Sequence, residues 1–175
     1  MNTTSFFKIQ IFAIIFAAIT SPLSAIAGQQ KIEFALGTYE KISYTKETCL
    51  PFKIGGTITG IGTGSITNKN KNKSLGLLIL KADDCITPLN MEFTRFHSDG
   101  NLTLTAGKGN KIMAEYSVDF ILTETESVYK YENFNLKNIR GTGDFEGVSG
   151  SGTAGGTSNI QTGLGFVEGI LNISN

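Results

Sequence analysis

The run at residues 139–156, IRGTGDFEGVSGSGTAGG, most constrains what this chain can fold into. Glycine recurs there at even spacing, at Gly141 and Gly143, then with Phe145 in phase, then at Gly147. The phase changes at Val148 and Ser149, and glycine resumes at Gly150 and Gly152. Residues two apart on a strand share one face. The run therefore predicts two short strands, at 143–148 and 150–156, each with a stripe free of side chains and joined by a tight bend. Such bare backbone lets another chain segment or a ring come very close.

The device recurs twice. Ile58, Gly60, Gly62, Gly64 and Ile66 fall on one face of a strand, with Thr57, Thr59, Ile61, Thr63 and Ser65 on the other. Near the C-terminus, Gly163, Gly165 and Gly169 share a phase with Val167 and Leu171. Stripes of this kind weaken an isolated strand. They suit a sheet that curls sharply or a bulky neighbour that fills the space. Apolar residues recur in phase with the glycines, so a disordered low-complexity chain is excluded.

The remainder reads as strands. Leu102 and Leu104 alternate with Thr103 and Thr105, and Tyr116, Val118, Phe120 and Leu122 alternate with polar residues. Period two with polar partners is the half-buried strand pattern. Predicted strands cover 31–36, 39–45, 54–67, 75–83, 90–97, 101–106, 111–123, 127–139, 143–148, 150–156 and 163–173, some of which merge or become loop. Ser98-Asp99-Gly100-Asn101 and Gly107-Lys108-Gly109-Asn110 read as hairpin turns. No linker divides the chain, so residues 28–175 are expected to form one all-β domain, a sandwich or barrel.

Residues 1–27 have a different origin. Lys8 precedes an apolar run from Ile9 to Ile19, then Pro22, then Ser24-Ala25-Ile26-Ala27. That is the order of a secretory signal cleaved after Ala27, and the run is shorter than a spanning helix needs. A secreted or periplasmic location follows, in keeping with a composition that looks bacterial. The sequons at Asn72, Asn101 and Asn172 matter only in a eukaryotic secretory pathway. Cys49 and Cys85 make an even count in an oxidising compartment and predict a disulfide closing a loop of about 36 residues. Acidic and basic side chains number 15 each, which argues against nucleic acid as a partner. Lys69, Lys71 and Lys73 alternate with Asn and read as a solvated turn between strands.

Few residues read as chemistry. Gly150-Ser151-Gly152-Thr153-Ala154-Gly155 matches Gly-x-Gly-x-x-Gly, but no helix follows to receive a pyrophosphate. His97, the one histidine, has Asp99 or Glu92 as candidate orienting partners. It lacks a Gly-x-Ser-x-Gly elbow and reads as an exposed residue flanking a turn. Glu92, Arg95, Glu115, Asp119 and Glu124 interrupt apolar strands; any that points into a barrel becomes a candidate acid, base or ligand contact. Asp119 is opposite in phase to Tyr116, Val118 and Phe120, and the sequence leaves open which set faces inward. No metal ligands stand at suitable spacing, and no cofactor is expected.

The segment from Ile139 through Gly141-Thr142-Gly143, Phe145 and Gly147 to Gly150-Ser151-Gly152 resembles one shared by allene oxide cyclase barrel-like and dirigent-like proteins. Asp84-Cys85-Ile86-Thr87-Pro88, followed by the strand at Asn101 to Thr105, is similar to small exported bacterial members. The segment departs from that pattern at Arg140 and Glu146. The resemblance implies an eight-stranded antiparallel barrel whose interior holds side chains or one small ligand. No catalytic residue carries over position by position. The reading is a non-catalytic exported barrel that binds a small apolar ligand or a partner surface, with oligomers allowed. The alternative is an isomerase or cyclase for a lipid-like or phenolic substrate, which needs two or more ionisable groups inside the barrel. An outer-membrane barrel is a third reading, poorly served by the Thr-rich strands.

Overall fold

The computed structural model describes residues 28–69 and 71–175; the expected secretory segment lies outside them. Eight strands follow one another, β1 (Gln30–Ser43), β2 (Gly55–Asn68), β3 (Lys71–Pro88), β4 (Arg95–Thr105), β5 (Lys111–Leu122), β6 (Val128–Thr142), β7 (Ser149–Asn159) and β8 (Leu164–Ser174). Each pairs antiparallel with the next, and β8 pairs with β1. The sheet closes on itself as a barrel, so each strand has a hydrogen-bonded neighbour on both sides. This is the closed eight-stranded antiparallel barrel that the resemblance implied.

Alternation decides which side chains enter it. Along β1, Ile32, Phe34, Leu36 and Glu40 are buried while the intervening residues are not. Directly opposed residues share a face, so the register carries this face around the barrel. Leu36 lies opposite Gly62 on β2 and Val167 on β8. Leu80 and Leu104, then Leu104 and Ile112, continue the layer through β3, β4 and β5. Tyr116, Val118 and Phe120 face inward and are buried, so Asp119 faces outward. The interior is mostly apolar, with Glu40 and Asp84 the buried acidic residues among the described residues. No helix among the described residues is long and apolar enough to cross a membrane. The outer face carries one apolar band, in which exposed Leu164 and Phe166, Tyr39, Ile61, Ile79 and Leu77 run across β8, β1, β2 and β3.

The bare stripes have backbone pressed against them. A Cβ at Gly62 would overlap the Ala35 carbonyl oxygen, and one at Gly152 would overlap that of Ile170. Gly60, Gly64 and Gly150 are similarly confined by neighbouring strands. β6 keeps its core face by another route. Tyr129 and Tyr131, then Phe134 and Leu136, then Ile139 face inward, and the phase shifts at Asn133 and Asn138. Both asparagines have positive φ, at 51° and 53°. Each sits at an irregularity in pairing with β5; a left-handed residue at a bulge absorbs the extra position.

Several sequence-predicted boundaries move. Segments 31–36 and 39–45 are one strand running through Gly37 and Thr38. Residues 143–148 are not a strand. Gly143–Phe145 is a 3-10 turn, with Gly143 at φ 66° and Gly147 at φ 79°. Gly147 has nothing within 4 Å of an added Cβ, so conformation and not close packing explains it. The turn folds Phe145 back over Gly141 into the core. The expected turn at Ser98-Asp99-Gly100-Asn101 is the interior of β4. Gly100 there faces Tyr116, whose ring Cζ would lie 2.6 Å from an added Cβ. Lys71 and Lys73 belong to β3, and β7 extends through Asn159.

Candidate functional site

Two buried acidic side chains lie toward one end of the barrel. Glu40 continues the inward phase of β1 and is 9% exposed, and Asp84 continues the Leu78, Leu80, Ala82 phase of β3 at 2% exposed. They come together because the strand between them presents glycine. A Cβ at Gly56 on β2 would stand 2.5 Å from both the Glu40 Oε1 and the Asp84 Oδ1.

The two carboxyls are treated differently. Asp84 Oδ1 accepts the Gly56 N–H at 2.7 Å, while Oδ2 accepts the Ser98 hydroxyl at 2.6 Å and the Tyr116 hydroxyl at 3.0 Å. Glu40 Oε1 is buried and has no hydrogen-bond partner. Burial first, and the Asp84 charge second, push the Glu40 carboxyl up to about 7. The Tyr116 hydroxyl is pushed up by burial and then by Asp84, and that of Tyr131 by burial and then by Glu40.

Glu40 borders two spaces. Below it is a void of about 40 Å³, bounded also by Thr38, Asp84, Tyr116 and Tyr131. Above it a cavity of about 340 Å³ opens at the mouth, walled by Ile42, Tyr44, Ile54, Ile86, Phe93, Phe96, Phe120, Tyr129 and Ile160. Tyr129 donates its hydroxyl to the Phe93 carbonyl at 2.8 Å and packs edge-on to Phe96 at 5.6 Å. That anchors the 89–94 loop to the cavity wall. No Lys, Arg or His lines either space among the described residues. The arrangement can hold an apolar body in the mouth and present one unsatisfied carboxyl to its inner end.

The sequence candidates lie elsewhere. Glu92 is exposed in the 89–94 loop, Arg95 is exposed at the start of β4, and Glu124 is exposed in the β5–β6 turn. Glu115 is on the outer face and accepts from Asn138 Nδ2 at 2.7 Å. None of these lines the mouth cavity. His97 does not flank a turn. It lies within β4 directly opposite Asp119, with Nδ1 2.7 Å from Asp119 Oδ1 and Nε2 3.3 Å from Asp99 Oδ2. Asn133 Nδ2 donates to the other Asp119 oxygen at 2.9 Å. The His97 hydrogen bond, then that of Asn133, hold the Asp119 carboxyl below its ordinary range. Of the weighed partners, Asp99 is in place, Glu92 is not, and Asp119 is the closer. A disulfide joins Cys49 to Cys85 and ties the β1–β2 connection to β3. No group of three or more potential metal ligands occurs among the described residues.

No family model matches the chain, and no curated protein matches it. Among solved structures it is similar to that of a pterocarpan synthase dirigent protein, at 16% identity and a TM-score of 0.43, over 93% of this chain and 99% of that one.

Proposed function

We propose that this is an exported barrel that binds a small, mostly apolar molecule in the mouth cavity, with Glu40 meeting the polar end of the ligand. One observation carries the reading: a carboxyl with a buried, unpartnered oxygen stands at the base of an aromatic-walled cavity of about 340 Å³. A buried acceptor without a protein partner is costly, and the same carboxyl lines the cavity, where a ligand donor meets it. Native mass spectrometry of protein from its own host is the test. A co-purifying small molecule that is lost on filling the cavity with Ile86→Trp supports the reading. Unliganded protein that also fails to take up any aromatic probe overturns it. Export rests on the residue order of 1–27 and on the disulfide, and a mature N-terminus at Gly28 in the periplasm or medium checks it.

A second reading is an isomerase or cyclase working in the same cavity. Two ionisable carboxyls inside the barrel favour it, as does a Glu40 carboxyl near 7, suited to giving and taking a proton at neutral pH. Turnover of the co-purified molecule that vanishes in Glu40→Gln, with binding kept, distinguishes catalysis from binding alone. The outer apolar band supports self-association, which sedimentation velocity reads directly.

A further inference from the structure

Resting on the binding reading above, we infer that the ligand of the mouth cavity is an organic cation, with an ammonium group on Glu40 and its apolar body among the aromatic rings. Glu40 Oε1 is buried without a donor. The Gly56 N–H and the Ser98 and Tyr116 hydroxyls are committed to Asp84, and the Thr38 and Tyr131 hydroxyls border the void beside Glu40 without bonding its Oε1. The titratable groups facing Glu40 are Asp84 from β3, Tyr116 from β5 and Tyr131 from β6. Each is neutral or negative, and no cationic side chain lines either space among the described residues. Of the two carboxyls Glu40 lines the cavity and Asp84 borders the void beneath it, while the nearby Lys46 ammonium is turned to the Gly56 and Asp84 carbonyls at 3.1 Å each.

The walls favour the same charge. Phe93, Phe96, Phe120 and Tyr129 line the space above Glu40, and aromatic faces attract cations, most strongly where water is excluded. An ammonium supplies both a formal charge and N–H donors to the Glu40 carboxyl that lines the cavity, making a charge-assisted bond. A carboxylate ligand would bring a further negative charge into the same space. A neutral alcohol would supply a donor and leave the charge uncompensated. Because the empty site holds a proton on Glu40 up to about pH 7, a cation arriving below that pH displaces it. Affinity for ammonium therefore rises with pH through that region.

Three near-isosteric probes test this by titration calorimetry on the purified protein: 2-phenylethylammonium, 2-phenylethanol and 3-phenylpropanoate. At about pH 8 the ammonium is expected to bind about tenfold more tightly than the alcohol, with the propanoate weakest. At about pH 6 the gap narrows, and the ammonium heat depends on the buffer because a proton is released. Glu40→Gln brings ammonium and alcohol to within roughly twofold and removes the pH dependence. If that variant does not fold, the ranking and proton release in the unsubstituted protein decide alone. Alcohol or propanoate binding as tightly as ammonium overturns the cation and leaves the binding site standing. Absence of binding by all three overturns both.

Discussion

Glu40 and Asp84 face each other across Gly56, and three protein donors reach Asp84 while the buried oxygen of Glu40 has none. Burial couples the protonation of Glu40 to folding. Its carboxyl rises from 4.5 to about 7 on burial. The sign follows from proton counting. Between those two pH values the folded chain binds more protons than the unfolded one, so stability is full below about 4.5 and falls as pH rises to 7. The loss is on the order of 3 kcal/mol. Glu40→Gln cannot ionise, so the stability difference between variant and unsubstituted protein is expected to shift in the variant's favour by about that amount from acid to neutral pH. Urea denaturation across pH checks it, and parallel curves would sink it.

Tyr116 has a structural task at the same site. Its hydroxyl is one of two donors to Asp84 Oδ2, and its ring packs against Phe134 at 5.5 Å. Tyr116→Phe keeps the ring and removes the donor. It is expected to cost about 1–3 kcal/mol, because a buried charged acceptor loses a partner. Ser98→Ala should cost a similar amount, and the double variant should deviate from additivity because both donors serve one oxygen. Chemical denaturation of the three variants measures this; a neutral Tyr116→Phe would mean that Asp84 does not depend on that donor.

The strands were legible in the sequence because their two governing signals are local, whereas the choice of a closed eight-stranded barrel over a sandwich came from the resemblance. Period-two alternation marks the strands and bare stripes mark where they crowd. The polar site was harder to read because strand phase, not charge among apolar residues, decides which acids turn inward. Glu40 is in phase with Ile32, Phe34 and Leu36, but Gly37-Thr38 looked like a break in the strand. Asp84 is in phase with Leu78, Leu80 and Ala82, whereas Glu115 and Asp119 are out of phase with Tyr116 and Val118. Following phase through each strand would have separated them. The 143–148 segment misled because turn glycines and stripe glycines share the same spacing, and it is the φ of 66° and 79° at Gly143 and Gly147 that places those two in a turn.

The stripes themselves make a matched pair of predictions. At Gly62 an added Cβ would overlap the Ala35 carbonyl oxygen and lie 2.8 Å from Leu36 Cα, whereas at Gly155 nothing lies within 4 Å. Neither glycine has a left-handed φ, so contact alone distinguishes them. Gly62→Ala should destabilise by about 1–3 kcal/mol or more, since backbone cannot move aside as a side chain can. Gly155→Ala should be neutral or stabilise by about 0.5 kcal/mol through the unfolded state. Thermal melts of the two variants compare them directly, and equal effects would remove close approach as the reason for the stripe at β2.

The disulfide links stability to the shape of the mouth. Cys49 sits in the connection between β1 and β2, whose flanks supply Tyr44 and Ile54 to the cavity wall, and Cys85 fixes it to β3. Lys46 holds the same connection, donating to the Gly56 and Asp84 carbonyls at 3.1 Å each. Closing a loop of about 36 residues contributes about 3–4 kcal/mol in the chain-entropy account. The Cys49→Ala/Cys85→Ala variant should lose about that much stability. It should also bind 2-phenylethanol several-fold more weakly, because two walls of the mouth lose their tether. Denaturation and calorimetry on one preparation separate the effects. A stability loss below about 1 kcal/mol with unchanged binding would show that the Lys46 contacts alone position the connection, and the mouth would then keep its shape in a reducing environment.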